Sequence, residues 1–160
     1  QAGAILELLR LLREAPGELQ VESGDASALK DTRYLILLDS DTALNVDAAR
    51  RLVGGMLHPL NRPVVDPERR VVTSGYGILQ PGIGVSLRDA SRTTFSRLFA
   101  GGGGTDPYGA TAGELYHDLF DRASFNGKGI MDVEAAYLCL EGRFPQRRVL
   151  SHDLLEGGCL

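Results

Sequence analysis

The sequence feature that most constrains the fold is Tyr34–Leu44, which reads YLILLDSDTAL. The apolar run Tyr34–Leu38 is bounded by polar residues, and such a run is typical of a central parallel strand that is covered on both faces. Asp39 and Asp41 follow it, and strand alternation would place both carboxylates on one side of the backbone. The stretch therefore predicts an α/β layered sheet with paired carboxylates at a strand end, where ligands bind in such sheets.

The two carboxylates need a physical explanation. At this spacing they repel each other by roughly 4 kcal/mol at a surface-like dielectric constant, unless a proton or a cation intervenes. Mg²⁺ or Mn²⁺, held by Asp39 and Asp41 and bridging substrate phosphates, would relieve the repulsion. The alternative is an Asx-turn that leaves the strand, with Asp39 capping the next turn. Because a D-x-D pattern is common by chance, both interpretations stay open.

A third carboxylate, Asp153, follows a short predicted strand at 149–150 and lies in the sequence Ser151-His152-Asp153. The dipole of a helix stabilises an ionised Asp at its N-terminus, and a carboxylate that faces a cleft can accept a proton from an attacking hydroxyl. The structural alternative is a first-turn helix Asp with Ser151 as N-cap. His152 has no second His at metal-ligand spacing, which favours packing or hydrogen bonding.

The remaining pattern alternates helices, strands and turns. Predicted helices are Ala2–Glu14, a helix capped by Asn45 that includes Met56, Leu87–Phe99, Ala112–Phe120, and Val133–Leu140. In the helix Leu87–Phe99, Phe95, Leu98 and Phe99 are predicted to face the core. A predicted strand runs from Val71 to Leu79, and the predicted connections are His58–Pro67, Gly101–Gly104 and Phe125–Gly129. The last of these, FNGKG, either lets a ligand approach the backbone around Lys128 or is a simple turn.

Composition narrows the class of protein. The 160 residues suit a single domain, and the net charge of −4 argues against nucleic acid as a partner. The basic stretch 61–97 either meets phosphate or a neighbouring acidic surface, or is a solvated face. Cys139 and Cys159 show neither metal-ligand nor disulfide spacing, which favours a reducing compartment, and Cys139 is predicted to be a small buried hydrophobe. No apolar run reaches the length of a membrane span.

Several longer motifs carry a family resemblance. They are QAGAILELLRLL, LLDSDT, HPLNRPVVD, GYGILQP, FAGGGGTDPY, YHDLF, SFNGKGIMDV and GRFPQRRVLSHDLLEGG. In this order they resemble the glycosyltransferase domain of the cyclic β-1,2-glucan synthases, relatives of the family 2-type, cellulose-synthase-like transferases. The resemblance covers nearly the whole chain and is weakest at 15–32.

The resemblance implies a GT-A fold, which is Rossmann-like with a mostly parallel sheet flanked by helices, and UDP-glucose as donor. Asp39 and Asp41 would match the D-x-D that holds Mg²⁺ or Mn²⁺ and the UDP diphosphate. Asp153 would match the general base of an inverting transfer to a growing β-1,2-glucan. The residues expected near the acceptor sugar are Phe125, Gly127, Lys128 and His152. His152 stands where the wider superfamily often has Glu, but the glucan-synthase branch itself reads SHD.

The resemblance also implies that residues 1–160 are a fragment of a single GT-A domain, truncated at both ends and inactive alone. The expected partners are the sugar nucleotide, the glucan acceptor and a large membrane-bound parent chain, with the fragment on the cytoplasmic face of the inner membrane. An open sheet edge predicts pairing with a second copy as a homodimer. Two alternatives remain: a transferase of the same fold with another sugar nucleotide or acceptor, and a non-catalytic α/β assembly module.

Overall fold

The computed structural model describes residues 2–82, 84, 86–99, 119, 125–143 and 153–160. The chain divides into two compact units, residues 1–80 with 125–160, and residues 81–124. The mixed helix-and-sheet class predicted from the sequence is confirmed. The described α-helices and strands are α1 (Ala2–Leu12), β1 (Tyr34–Leu37), α2 (Ala48–Leu57), β2 (Val64–Asp66), β3 (Val71–Ser74), β4 (Ile78–Leu79), α3 (Leu87–Ala90), α4 (Thr94–Phe99), β5 (Gly129–Asp132), α5 (Val133–Leu140) and α6 (Asp153–Gly157). Short 3-10 helices lie at Ala26–Leu29 and Pro59–Asn61.

The larger sheet of the first unit is antiparallel. Its strand order is β1-β5-β4, with Tyr34 opposite Asp132 and Ile78 opposite Met131. The prediction of a central parallel strand at Tyr34–Leu38 is therefore wrong, and so is that of a mostly parallel sheet in this part of the chain. The central, fully buried strand is β5, whereas every residue of β1 is only half-buried. Among the described strands β1 pairs with β5 alone, and pairing of its other edge with a second copy stays a prediction.

A hairpin of β2 and β3 lies in a region predicted to hold a connection and one long strand. β2 occupies part of the predicted connection His58–Pro67, and Pro63 and Pro67 flank it without interrupting its hydrogen bonds. The predicted strand Val71–Leu79 is divided into β3 and β4. The division falls at Gly75, which has φ +72° and whose Cα faces the carbonyl group of Arg62 so closely that no side chain would fit.

The core of the first unit forms where α1 packs on α5. Its buried side chains are Leu9 and Leu12 of α1, Met131 of β5, Val133, Ala136, Cys139 and Leu140 of α5, and Cys159. Arg10 of α1 links the two helices at the surface. Its guanidinium donates to both carboxylate oxygens of Glu141, the residue that follows α5, at 3.0 and 2.7 Å. The predicted helices at Ala2–Glu14 and Val133–Leu140 are thus confirmed, to within two residues at the C-terminus of α1.

Both cysteines are free and buried. Burial raises the pKa of the Cys139 thiol to about 11, and it also raises the pKa of the Cys159 thiol. At neutral pH both groups are therefore uncharged thiols that pack as small apolar side chains. The prediction for Cys139 is confirmed.

Two predicted helices need correction. α2 begins after Asp47, which adopts φ +65°, and not after Asn45. The predicted helix Leu87–Phe99 is divided into α3 and α4, because the hydroxyl of Thr93 accepts a hydrogen bond from the backbone N–H of Ser96 at 2.9 Å and starts a new helix. The apolar side chains of α4 that were predicted to face the core are instead largely exposed: Phe95, Leu98 and Phe99.

Three predicted elements lie outside the described residues: the loop Gly101–Gly104, most of the helix Ala112–Phe120 and the strand at 149–150. None of the helices in the described part of the chain combines the length and the apolar character needed to cross a bilayer.

Candidate functional site

One end of the larger sheet collects the predicted site residues. β1 and β4 both run antiparallel to β5, so their C-terminal ends meet the N-terminal end of β5. Leu37 is paired with Gly129, and Leu79 is paired with Ile130. Whatever follows β1 and β4 therefore lies beside whatever precedes β5. The segment that leads into β5 is Phe125–Gly129, whose last residue begins the strand; it is called the glycine segment below.

The glycine segment is anchored on two sides. On the sheet side, the backbone N–H of Asn126 donates to the side-chain carbonyl of Gln80, which directly follows β4, at 2.8 Å. On the helix side, Phe125 is 6% exposed and packs against Gly157 of α6, where an added Cβ would lie 2.8 Å from the Cβ of Phe125. The segment is therefore held between the end of β4 and α6.

Lys128 connects the glycine segment to the turn that follows β1. Its ammonium lies 2.8 Å from Oδ2 of Asp39. The Lys128 side chain is 22% exposed and that of Asp39 is 54% exposed, so the ion pair has a buried side and a side open to solvent. The backbone N–H of Thr42 closes the turn on the carbonyl of Asp39 at 3.0 Å, which leaves the Asp39 carboxylate available to Lys128.

Asp153 contacts the glycine segment at Gly127, the residue before Lys128. It is the first residue of α6 and is half-buried. Gly127 has φ +81°, and a Cβ built on it would lie 2.9 Å from Oδ1 of Asp153. The Asp153 carboxylate therefore rests directly against the backbone of Gly127. The structure thus places Asp39 and Asp153 in contact with neighbouring residues of one segment, although 114 positions separate them in the sequence.

The strand-alternation argument for Asp39 and Asp41 does not hold. β1 ends at Leu37, and Asp39–Thr42 is a turn, so alternation does not fix the directions of these two side chains. Asp41 is exposed in this turn, two residues after Asp39. His152 lies outside the described residues. Phe125 is buried against α6, and its predicted role near an acceptor stays a prediction, as do the roles of Gly127 and Lys128.

Within the described part of the chain, three carboxylates lie at this end of the sheet, those of Asp39, Asp41 and Asp153. The ammonium of Lys128 is paired with the carboxylate of Asp39. Among the described residues no group of three or more His, Cys, Asp or Glu side chains is placed to hold a metal ion. Mg²⁺ in nucleotide sites is usually held by one or two carboxylates and completed by phosphate oxygens, and Asp39 and Asp41 are ligands of the type that such a cation takes.

Gln80 is the site residue that sequence reasoning missed. Its signal is its position directly after an apolar pair and before Pro81 in GYGILQP, since a polar residue at a strand end is placed to reach a ligand or a neighbouring loop. The pairing of Lys128 with Asp39 has no local signal, because the two residues are 89 positions apart.

A cavity of about 580 Å³ lies at the opposite end of the sheet. It is lined by residues that precede β1, such as Arg33, and by residues that end β5, such as Asp132. Its charged side chains are of both signs, and neither Asp39 nor Asp153 borders it. The candidate site is therefore the surface around the glycine segment and not this cavity.

Comparison with known proteins supports a relation to a glucan synthase. No family model matches the chain. The chain is 40% identical over 153 residues, 95% of its length, to the cyclic beta-(1,2)-glucan synthase NdvB of Rhizobium meliloti (strain 1021). It spans about 5% of the length of that much larger protein. The chain is thus related to one small part of a cyclic glucan synthase.

Proposed function

We propose that this chain is part of an inverting, GT-A type glucosyltransferase domain that transfers glucose from UDP-glucose to a growing β-1,2-glucan. The observation that carries the proposal is the glycine segment, which contacts Asp39 through Lys128 and Asp153 through Gly127 at one end of the sheet. The relation to a cyclic glucan synthase supports this choice among the reactions that such a carboxylate arrangement permits.

Asp39 and Asp41 are the residues proposed to hold Mg²⁺ or Mn²⁺ together with the donor diphosphate. When bound, the divalent cation would neutralise the negative charge that develops on the departing UDP. Lys128 adds a further positive charge beside Asp39. The exposed face of the Asp39 turn gives a charged nucleotide access without burying its phosphates.

Asp153 is proposed to be the general base. An inverting transfer by direct displacement needs one group that removes the proton of the attacking hydroxyl, here the 2-hydroxyl of the acceptor glucan. Asp153 is the first residue of α6, and Gly127 meets its carboxylate without a side chain, so the carboxylate is positioned by backbone on that side.

We also propose a setting for this chain within a larger protein. β1 and β4 run parallel to each other on either side of the antiparallel β5, an arrangement that can be extended by further strands beyond β1. The proposed setting is a large membrane-bound parent chain that presents this region on the cytoplasmic face of the inner membrane. The proposed partners there are the nucleotide sugar and the glucan acceptor.

Titration calorimetry of the chain with UDP and Mn²⁺ tests the proposal. We expect UDP to bind only when Mn²⁺ is present, and we expect Asp39→Asn and Asp41→Asn each to weaken this binding by at least about tenfold, since each removes a charged ligand. Asp25→Asn is the matched control, because Asp25 is an exposed carboxylate that accepts a backbone hydrogen bond in the loop before β1.

Metal-independent binding of UDP would contradict the proposed role of the two carboxylates. Unchanged binding in both site variants would contradict it as well. A chain that binds no UDP with or without Mn²⁺, even when extended at both ends, would favour the non-catalytic assembly module.

A further inference from the structure

We propose that Lys128 is the resident counter-ion of this site. Its ammonium neutralises Asp39, and with a divalent cation bound at Asp39 the ammonium would pair instead with the anionic phosphates of the nucleotide. The inference rests on the proposed function and deepens it.

The backbone around Lys128 is held in place, whereas its ammonium group can change position. Gly129 lies so close to β4 that an added Cβ would come within 2.5 Å of the Leu79 carbonyl oxygen, and Gly127 lies against Asp153. The neighbouring Asn126 N–H is held by Gln80. A lysine side chain has a flexible four-carbon stem and three rotatable donors, so the ammonium can shift by a few ångströms without moving the segment.

The ammonium conflicts in charge with a metal held by Asp39. Nζ lies 2.8 Å from Oδ2 of the carboxylate, and the cation would bind the same carboxylate. The two positive charges would then lie a few ångströms apart and repel each other. A nucleotide diphosphate resolves the conflict, because its oxygens offer the displaced ammonium a new anionic partner and lysine binds phosphate as a point charge.

A purely structural lysine would behave differently. If Lys128 only tied the glycine segment to the turn, its removal would make the Asp39 turn less ordered. The binding of every ligand, Mn²⁺ alone included, would then become weaker. If Lys128 is a counter-ion that changes partner, its removal strengthens the binding of the bare cation and weakens that of the nucleotide. The two interpretations therefore predict opposite signs for the affinity of Mn²⁺ alone.

The experiment measures Mn²⁺ binding without nucleotide, by electron paramagnetic resonance of free Mn²⁺, and UDP binding at saturating Mn²⁺, by calorimetry. For Lys128→Met we expect Mn²⁺ alone to bind roughly three- to tenfold more tightly and UDP to bind less tightly by a similar factor. Lys128→Arg keeps the charge, so its affinities for Mn²⁺ and for UDP should stay close to those of wild type. Lys30→Met is the matched control, since Lys30 pairs with Glu14 at 2.6 Å at the other end of β1. This substitution should change neither affinity.

Weaker or unchanged binding of Mn²⁺ by Lys128→Met, with a circular dichroism spectrum like that of wild type, would overturn this inference and leave the proposed function standing. If the substitution unfolds the chain, Lys128→Gln and Lys128→Arg provide the same comparison of charge. A wild-type chain that binds neither Mn²⁺ nor UDP, even when extended at both ends, would overturn both the inference and the proposed function.

Discussion

Asp153→Asn is expected to lower the transfer of glucose from UDP-glucose by at least about 100-fold, the usual contribution of a general base. Asparagine has nearly the same shape but cannot accept the proton of the acceptor hydroxyl. The position of Asp153 against Gly127 is set by α6 and should persist, so the affinity for Mn²⁺ and UDP should change by less than about twofold. Transfer should be measured with labelled UDP-glucose in the longest natural polypeptide that contains this sequence, and nucleotide binding by calorimetry on the 160-residue chain.

The control for this variant is Asp89→Asn. Asp89 is also a first-turn helix carboxylate, in α3, and accepts a hydrogen bond from the hydroxyl of Ser86 at 2.6 Å. Its replacement should leave transfer unchanged. Equal loss of transfer in both variants would indicate a general effect of removing helix-terminal charge, and full transfer by Asp153→Asn would remove Asp153 from the reaction.

Gly127→Ala is expected to reduce both stability and transfer. An alanine at φ +81° costs about 1–2 kcal/mol of folding free energy, because its Cβ approaches the following carbonyl oxygen. The added Cβ would also lie 2.9 Å from Oδ1 of Asp153, so the carboxylate has to move aside. Since a displacement of about 1 Å at a reacting group can cost about 100-fold in rate, we expect at least a tenfold loss of transfer. Urea unfolding gives the first quantity and the transfer assay gives the second.

Gly142→Ala separates these two effects. Gly142 has φ +62°, and among the described residues no atom beyond its chain neighbours lies within 4 Å of a Cβ built on it, so an alanine there has the backbone cost without the contact. It should lower the free energy of unfolding by a similar amount and leave transfer intact. If Gly127→Ala retained transfer as well as Gly142→Ala does, the contact between Gly127 and Asp153 would have no part in positioning the general base.

The helices were predictable where local signals agree. α5 has Asp132 as its N-cap, with the carboxylate accepting the N–H of Ala135 at 3.0 Å, and it is followed by Gly142 at positive φ. Its bounds were therefore predictable to the residue. The helix predicted at Leu87–Phe99 failed for the converse reason, because the hydroxyl of Thr93 competes with helix continuation and starts α4.

The direction of the strands could not be predicted. The apolar run of β1 is compatible with a parallel or an antiparallel neighbour, and its partner β5 lies 92 positions downstream of Leu37. The β2–β3 hairpin was missed because three prolines suggested a connection, although Pro63 and Pro67 lie just outside β2, where they remove no ladder hydrogen bond. Pairing between distant segments decided both cases.

The carboxylates of the candidate site were predictable from the sequence, but the contacts between its residues were not. Aspartates that follow an apolar run or begin a helix have local signals, which is why Asp39, Asp41 and Asp153 could be named. That the glycine segment would contact both Asp39 and Asp153, with Gln80 holding its backbone, depends on the antiparallel entry of β5 between β1 and β4. No local pattern encodes that arrangement.

The most direct test is the crystal structure of the chain with Mn²⁺ and UDP, recorded with X-rays that give an anomalous signal from manganese. The arrangement of the glycine segment predicts a manganese peak roughly 2.1 Å from a carboxylate oxygen of Asp39 or Asp41, with the diphosphate on it and Asp153 bordering the same cleft. A peak held by other residues, or a nucleotide separated from Asp153 by the glycine segment, would contradict a shared reaction centre at this end of the sheet.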